Sequence, residues 1–522
     1  MTDPATHPRR WLILGVLSFS LLTVVLDNTV LNVALPSLVK DLSASTAETQ
    51  WMVNAYSLAQ AGLLLTAGNA ADRYGRKRAL LSGLGIFGLG SLGATVSTTP
   101  LQLISARAFM GIGGAFLMTT TLALVMQIFP DSERPKAIGV WAGVSALGFT
   151  AGPVVGGFML DHAWWGSIFL INLPVAAVSF IAVIFMVPES RNPSGGRTDF
   201  VGVALSIIGM VGIVYAVIVS PEKGWTSLQS VLPMIGGALV MAVFILWERR
   251  IDHPMLSMSL FRDRSFSFAA AGGILVALGM SGSLFLLTQY LQFIQGFSPI
   301  KAGFSIAPMA ATVVAFNLTG VGARVLRRLG AGRAVMLGIP LLAAGMAAAG
   351  LFAREGYWGI LVGLVLVGSG VGLAMPALAN AIMTAISRQR AGTGAGVNGT
   401  LQELGASLGV AVLGAALSAR FTSLLPSALA DKGSQSLPAA LAAAAPRPDS
   451  AELIAATRHA FITGLSSSQF LGAALLFVGG LAVGRNLLRT ERAVEAQATR
   501  HGSGDTKATS QTAKQSQTAK QQ

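Results

Sequence analysis

Residues 11–36 read WLILGVLSFSLLTVVLDNTVLNVALP, and Asp27 is the only charged side chain among them. A helix rises about 1.5 Å per residue, so a run of this length crosses the roughly 30 Å of a bilayer's hydrocarbon core. Apolar runs of 18 residues or more recur as far as the region of Leu487. Composition agrees, since 53% of the 522 residues are hydrophobic and 11% are charged. A soluble domain carries about 25% charged residues, so too few charges are present to cover a water-facing surface. In lipid only helices and closed barrels satisfy the backbone internally. The ten-residue alternation of barrel strands is absent, and the sequence predicts an all-α membrane protein. Arg9 and Arg10 before the first run imitate a secretory signal. No A-x-A cleavage site follows and the run continues past Asp27 to Leu35, which predicts an uncleaved first helix.

Fourteen runs can be drawn: 11–36, 51–71, 79–98, 101–129, 136–160, 167–187, 200–220, 230–248, 267–291, 300–322, 333–352, 357–384, 395–419 and 460–486. With the N-terminus inside, the inner segments hold 27 of the 36 basic residues, the outer ones hold eight, and Arg107 lies within a span. Such a bias predicts both termini in the cytoplasm of an inner-membrane protein. It also explains the formal charge of +14 without nucleic acid, because the basic residues sit in short loops between apolar runs. The chain has no cysteine, and its histidines (His7, His162, His253, His459, His501) fall in loops, tails or helix ends, so no metal site is expected. No G-x-x-x-x-G-K-[ST] occurs. Nothing points to an enzyme, to a cofactor or to ATP hydrolysis within this chain.

Two loops echo each other: GNAADRYGRKR at 68–78 and GVGARVLRRLGAGR at 320–333. Each puts glycine at a helix end, followed by a basic cluster at an inner turn. They take equivalent places if the chain is two six-helix halves, a parallel-repeat architecture with the substrate site between the halves. The expected division is a cytoplasmic N-terminus (1–10), an N-terminal half (11–187), two inserted helices with their loops (188–266) and a C-terminal half (267–486). The last includes an outer loop, 420–459, rich in Ala, Ser and Pro, read as a solvated connector or one holding a short amphipathic helix. Residues 487–522, ending in SQTAKQ twice, are expected to be a disordered tail.

An ionised side chain near the bilayer centre costs about 2.5–3.5 kcal/mol even on lenient scales, so Asp27 reads as functional. Ser20, Thr23 and Asp27 lie at i, i+3 and i+7 and make a polar stripe. Glu403 repeats the pattern with Thr400 and Ser407. A carboxylate holds a proton or attracts a cation but does both poorly at once, the simplest basis for exchange. The alternative for either acid is a packing role beside a neighbouring helix. Arg107 shares a face with Gly111 and Gly114, so its guanidinium can run along the helix where neighbours approach closely and serve as a structural partner for a carboxylate or carbonyl. In the fifth run, Pro153 favours a kink and the glycines permit close packing, with or without a mechanistic role. Asp72 is expected to favour the dipole of the following helix and to help latch the inner face.

Four stretches resemble the major facilitator superfamily, and within it the fourteen-helix drug/proton antiporters that include QacA-like and EmrB-like multidrug exporters. They are LDNTVLNVALP at 26–36; the loop motif Gly68, Asp72, Arg73, Gly75, Arg76, Lys77, Arg78; R-x-x-x-G-x-G-x-A at Arg107, Gly111, Gly113, Ala115; and the antiporter-like Gly139, Gly148, Gly152, Pro153, Gly156, Gly157. LQELG around Glu403 is similar to the acidic thirteenth helix of the same exporters. The resemblance implies proton coupling through Asp27, Arg107 and Glu403, an inner-loop gate at 68–77 and a seal against proton leak in helix 5. Ser20, Thr23, Asn54, Gln289, Gln292, Thr400 and Ser407 are candidate substrate-lining residues. The chain departs from that group at Asn54, where an acid is common, in having no acid in helix 10, and in lacking an Arg between the tryptophans before IFLINLP. The implied function is proton-coupled efflux of lipophilic drugs, antibiotics, biocides or self-made metabolites; the alternative is proton-linked transport of one polar solute. Expected partners are the lipid bilayer, protons and a small lipophilic neutral or monocationic substrate. Nothing in the sequence indicates a periplasmic adaptor.

Overall fold

The fold is taken from a computed structural model that describes residues 9–130, 133–191, 199–251, 254, 258–384, 391–429 and 436–518. Among the described residues all regular structure is helical: α1 Arg10–Asp41, α2 Thr46–Tyr74, α3 Arg76–Thr95, α4 Pro100–Ile128, α5 Arg134–His162, α6 Ser167–Leu170, α7 Asn172–Met186, α8 Phe200–Lys223, α9 Leu228–Glu248, α10 Arg264–Gln289, α11 Pro299–Leu318, α12 Val321–Leu351, α13 Tyr357–Thr384, α14 Ala391–Leu424, α15 Leu437–Ala444 and α16 Ser450–Thr518. Helix starts follow from local chemistry. Ser45 and Glu48 form a reciprocal capping box at α2, and Thr99 caps α4 ahead of Pro100. Asp199, Asp263 and Ser298 cap α8, α10 and α11.

Short connections make successive long helices antiparallel, so the chain alternates between a near face, where α1 begins, and a far face. A first group packs α1 on α5 and α7, α2 on α4, and α3 on α4 and α7. A second packs α12 on α13 and α16, α10 on α14 and α16, and α11 on α13. The groups meet through α2 with α14, α5 with α11 and α1 with α10, while α8 pairs with α9 and also lies on both α2 and α14. Eleven helices among the described residues are long and apolar enough to cross a membrane. Helices α2, α3 and α5, at 29, 20 and 29 residues, lie outside that set. α2 owes this to Asn54, Ser57, Gln60 and Asn69, and α3 to Arg76, Lys77 and Arg78.

Several boundaries differ from the sequence reading. The sixth run breaks at Ile171 into α6 and α7. The expected inner loop 320–333 is largely helical: α12 starts at Val321 and kinks at Gly330, whose φ of +81° is a left-handed value open to glycine. α14 reaches Leu424 and α16 starts at Ser450, so the expected outer loop 420–459 shrinks from both ends and holds α15. The expected disordered tail continues α16 to Thr518, in keeping with the helix propensity of its Ala, Arg, Gln and Lys residues.

Candidate functional site

Asp27, midway along α1, faces α4 and α7. Its carboxylate forms an ion pair with Nη1 of Arg107 and accepts a hydrogen bond from Nδ2 of Asn172 at 3.0 Å. Arg107 also donates from Nε to the Met52 carbonyl at 3.1 Å, and its guanidinium lies 4.4 Å from the centroid of the Tyr56 ring. Asn172 Nδ2 is also 3.3 Å from Ser91 Oγ. Five helices of the first group thus converge on one charge pair, with Asp27 2% and Arg107 1% exposed. The glycines after Arg107 make this approach feasible. A Cβ at Gly113 would stand 2.6 Å from Phe87 N, and one at Gly114 2.5 Å from the Tyr56 hydroxyl. Each partner of such a pair is costly to bury alone, so the two charges hold each other in place.

Glu403 lies apart, on α14, with Ser57 of α2 close by. Tyr56 is within electrostatic reach of both carboxylates. The hydroxyls of Thr400 and Ser407, a turn to either side of Glu403, and both polar atoms of the Asn54 side chain on α2 are buried without a hydrogen-bond partner among the described residues. Ser20 and Thr23 are buried and donate to their own helix, at the Val16 and Phe19 carbonyls. Gln289 bonds within α10 to the Phe285 carbonyl at 3.2 Å. Gln292, in the π-helical turn Tyr290–Ile294, reaches across the groups to the Val33 carbonyl at 2.6 Å and lies toward the far face.

The near-face loop is tied within the first group. Asp72 pairs with Arg76 at 2.8 Å, Arg76 Nη1 donates to Gln127 Oε1 at 2.9 Å, and Arg76 N donates to the Ser190 carbonyl at 2.8 Å. Lys77 Nζ reaches the Ile184 carbonyl, and Arg73 lies over the Tyr74 ring. The carboxylate at the start of α3 is Glu189, which accepts from Lys77 N at 3.1 Å; Asp72, in the last turn of α2, is neutralised by Arg76 instead. Gly75 turns this corner at φ +117°, and a Cβ there would stand 2.6 Å from Glu189 Oε1. Gly68 lies farther back, with Thr119 3.9 Å from its built Cβ. In the second group Glu491 accepts from Ala331 N and Gly332 N at 2.7 and 3.2 Å beside Gly330, as Glu189 accepts from Lys77 N beside Gly75.

In α5 the small residues meet two partners. Gly148 packs on Leu22 and Val25 of α1, Gly152 on Thr29, and Gly156 on Val30. Gly157 instead abuts Pro299 and Ile300 of α11, and the Pro153 carbonyl abuts Gly303. This turn of α5 is therefore a contact between the groups near the far face. Gly139 lies in α5, but its surroundings fall outside the described residues.

Sequence reasoning found the charges and missed their holders, Tyr56, Ser91 and Asn172. Asn172 had a signal, as the single amide within the apolar IFLINLPVAAV. Glu189 and Glu491 lay in segments read as plain loop and tail.

Residues 17–410 match the Major Facilitator Superfamily. The chain is 36% identical over 407 residues to the multidrug resistance protein Stp of Mycobacterium tuberculosis (strain CDC 1551 / Oshkosh), covering 78% of this chain and 75% of that protein. It is 32% identical over 489 residues to the multidrug efflux pump LfrA of Mycolicibacterium smegmatis, covering 92% and 96%. Its fold is similar to the crystal structure of a bacterial homologue of the human lysosomal transporter Spinster in its inward-facing, unoccupied conformation, with a TM-score of 0.64, 17% identity, and coverage of 93% and 99%. The family match, the two helix groups and the absence of strands among the described residues agree: this chain is a multi-pass membrane transporter and belongs to the major facilitator superfamily.

Proposed function

We propose that this chain is a fourteen-helix exporter of the cytoplasmic membrane that moves lipophilic drugs, antibiotics or biocides outward in exchange for protons. The observation that carries the reading is the desolvated Asp27–Arg107 pair, held by Tyr56, Asn172 and the Met52 carbonyl. Protonation of Asp27 neutralises its half of the pair, frees the guanidinium and loosens α1 from α4. Because α1 also meets α10, and α5 meets α11, that release is transmitted to the contacts between the two groups. Fourteen spans result when α6 and α7 count as one and α2, α3 and α5 are included. The two groups are then the N- and C-terminal halves, and α8–α9 is an insertion between them. The basic bias toward the near face supports a cytoplasmic location for that face. Contact of Gly157 and Pro153 with α11, near the far face, supports a state closed to the outside.

Glu403, the second embedded acid, holds a proton until a cationic substrate takes its place and uses the freed carboxylate as countercharge, beside the proton cycled at Asp27. The relatives named for multidrug resistance and efflux support a lipophilic drug as cargo. A susceptibility profile of cells overexpressing the chain, beside an Asp27→Asn control, tests this. Raised tolerance to several lipophilic compounds, lost in the control, is expected, and identical profiles would contradict it.

A further inference from the structure

We propose that the seam between α2 and α14 is a water-holding vestibule delivering protons to Glu403, and that α8 is its wall against lipid. The proposal rests on the antiport reading for its use of the proton, but the vestibule itself is argued from packing. Three contacts set the register of the seam. A Cβ built on Gly414 lies 2.8 Å from Gln50 Cδ, one on Gly399 lies 2.9 Å from Leu64 Cδ2, and one on Gly396 lies 2.8 Å from Leu65 Cδ2. Numbers rise along α2 as they fall along α14, the register of antiparallel neighbours. Asn54 then stands within about a turn of Ser407, and Ser57 stands about level with Ser407 and within about a turn of Glu403.

This seam concentrates unpaired polarity. Asn54 is 0% exposed, and Gln50 and Ser407 are each 1% exposed. The Asn54 amide, Gln50 Oε1, Ser407 Oγ and Thr400 Oγ1 have no hydrogen-bond partner among the described residues. Buried polar groups are almost always satisfied by protein or by ordered water. A row of donors and acceptors spaced by helical turns suits a chain of waters, each bonded to two or more of them. Along such a chain every oxygen passes on one proton as it accepts another, so one proton entering is one proton delivered to the Glu403 carboxylate.

The walls are apolar except at Gln50. Leu64 and Leu65 close on the glycines of α14 toward the near face, and Gln50 packs on Gly414 toward the far face. On the lipid side, Met210, Val214 and Ile218 of α8 form one cluster with Leu58 of α2 and Ala411 and Ala415 of α14. Ile207 fills the space beside Gly62, and Tyr215 lies 6.4 Å from Trp51. Behind α8, α9 packs through Gly237 against Gly209 and turns Leu228, Leu232 and Leu239 outward. The inserted pair thus has one face on the seam and one on lipid, bridging both halves where an open seam would expose Glu403 to hydrocarbon.

The chain has no cysteine, so a single introduced thiol reports cleanly. Ser407→Cys and Ala411→Cys place thiols at two sites of equal burial, one on the vestibule and one on the α8 contact. In proteoliposomes a small water-soluble methanethiosulfonate should label Ser407→Cys about tenfold faster, because reaction at 411 waits on local opening. A maleimide dissolved in the lipid should label neither. Adding Gly62→Trp, which presses on Ile207, should admit the lipid-borne reagent to Ser407→Cys. Equal aqueous rates at the two sites, or lipid-borne labelling of Ser407→Cys with Gly62 intact, would overturn the proposal even if Gly62→Trp fails to fold. Labelling needs no transport: a dry Ser407→Cys in an active exporter removes the vestibule alone. Loss of gradient-driven efflux in the unmodified chain removes the antiport reading alone.

Discussion

Replacing Asp27 with asparagine keeps the shape of the side chain and deletes its charge, leaving Arg107 buried without a counterion. Breaking a buried pair by removing one partner costs about 3–5 kcal/mol. Arg107 keeps the Met52 carbonyl and the Tyr56 ring, the latter contributing about 0.5–2 kcal/mol, so the lower end of that range, about 3 kcal/mol, is expected. Arg107→Gln leaves Asp27 with only the Asn172 amide and should cost about 4 kcal/mol. The double variant Asp27→Asn/Arg107→Gln buries no charge, and its loss should fall well short of the sum of the two. Unfolding of the three variants and the parent in mixed detergent micelles closes a thermodynamic cycle, with an expected coupling above about 2 kcal/mol. Additivity within about 0.5 kcal/mol would show that the two side chains do not hold each other, and the proposed proton switch would lose its basis.

Glu403→Gln should reduce efflux of the monovalent dye ethidium more than that of a neutral lipophilic compound. The unmodified chain should also carry ethidium better than the dication methyl viologen, and Asn54→Asp should narrow that gap; efflux from loaded cells reads both. Asp72→Asn and Arg76→Ala should slow turnover at near-normal substrate affinity, because both side chains are tied at the near face within one helix group; dye binding and efflux rates measured together separate the two. Gly157→Val should bring a side chain into Pro299 and Ile300, prevent closure of the far face and abolish efflux while binding persists. Loss of binding in step with efflux would contradict that assignment.

The embedded charges were legible because lipid makes each of them conspicuous: Asp27, Arg107 and Glu403 stand out in otherwise apolar runs. Their partners were not, since Tyr56, Asn172 and Ser91 are ordinary residues whose role depends on which helices become neighbours. The pairing of Arg107 with Asp27 spans 80 positions and joins two helices by tertiary packing. Glu189 escaped notice for a related reason: Asp72 was the nearest acid in sequence to the start of α3, whereas the fold brings the end of α7 to that turn. Helix ends were misjudged where polar sequence stays helical, as in α12 before Gly330 and in α16 beyond the apolar run. Hydropathy marks the membrane and says little about where a helix stops.

The most direct test of proton-coupled export is substrate-induced proton release from the purified chain. Ethidium added to unbuffered protein in detergent should displace protons into solution, with a pH-sensitive dye recording the change. The unmodified chain should release protons on binding, and Asp27→Asn should bind ethidium and release far fewer. Equal release from both would take Asp27 out of the coupling, and binding by the unmodified chain with no proton release would contradict the account of exchange.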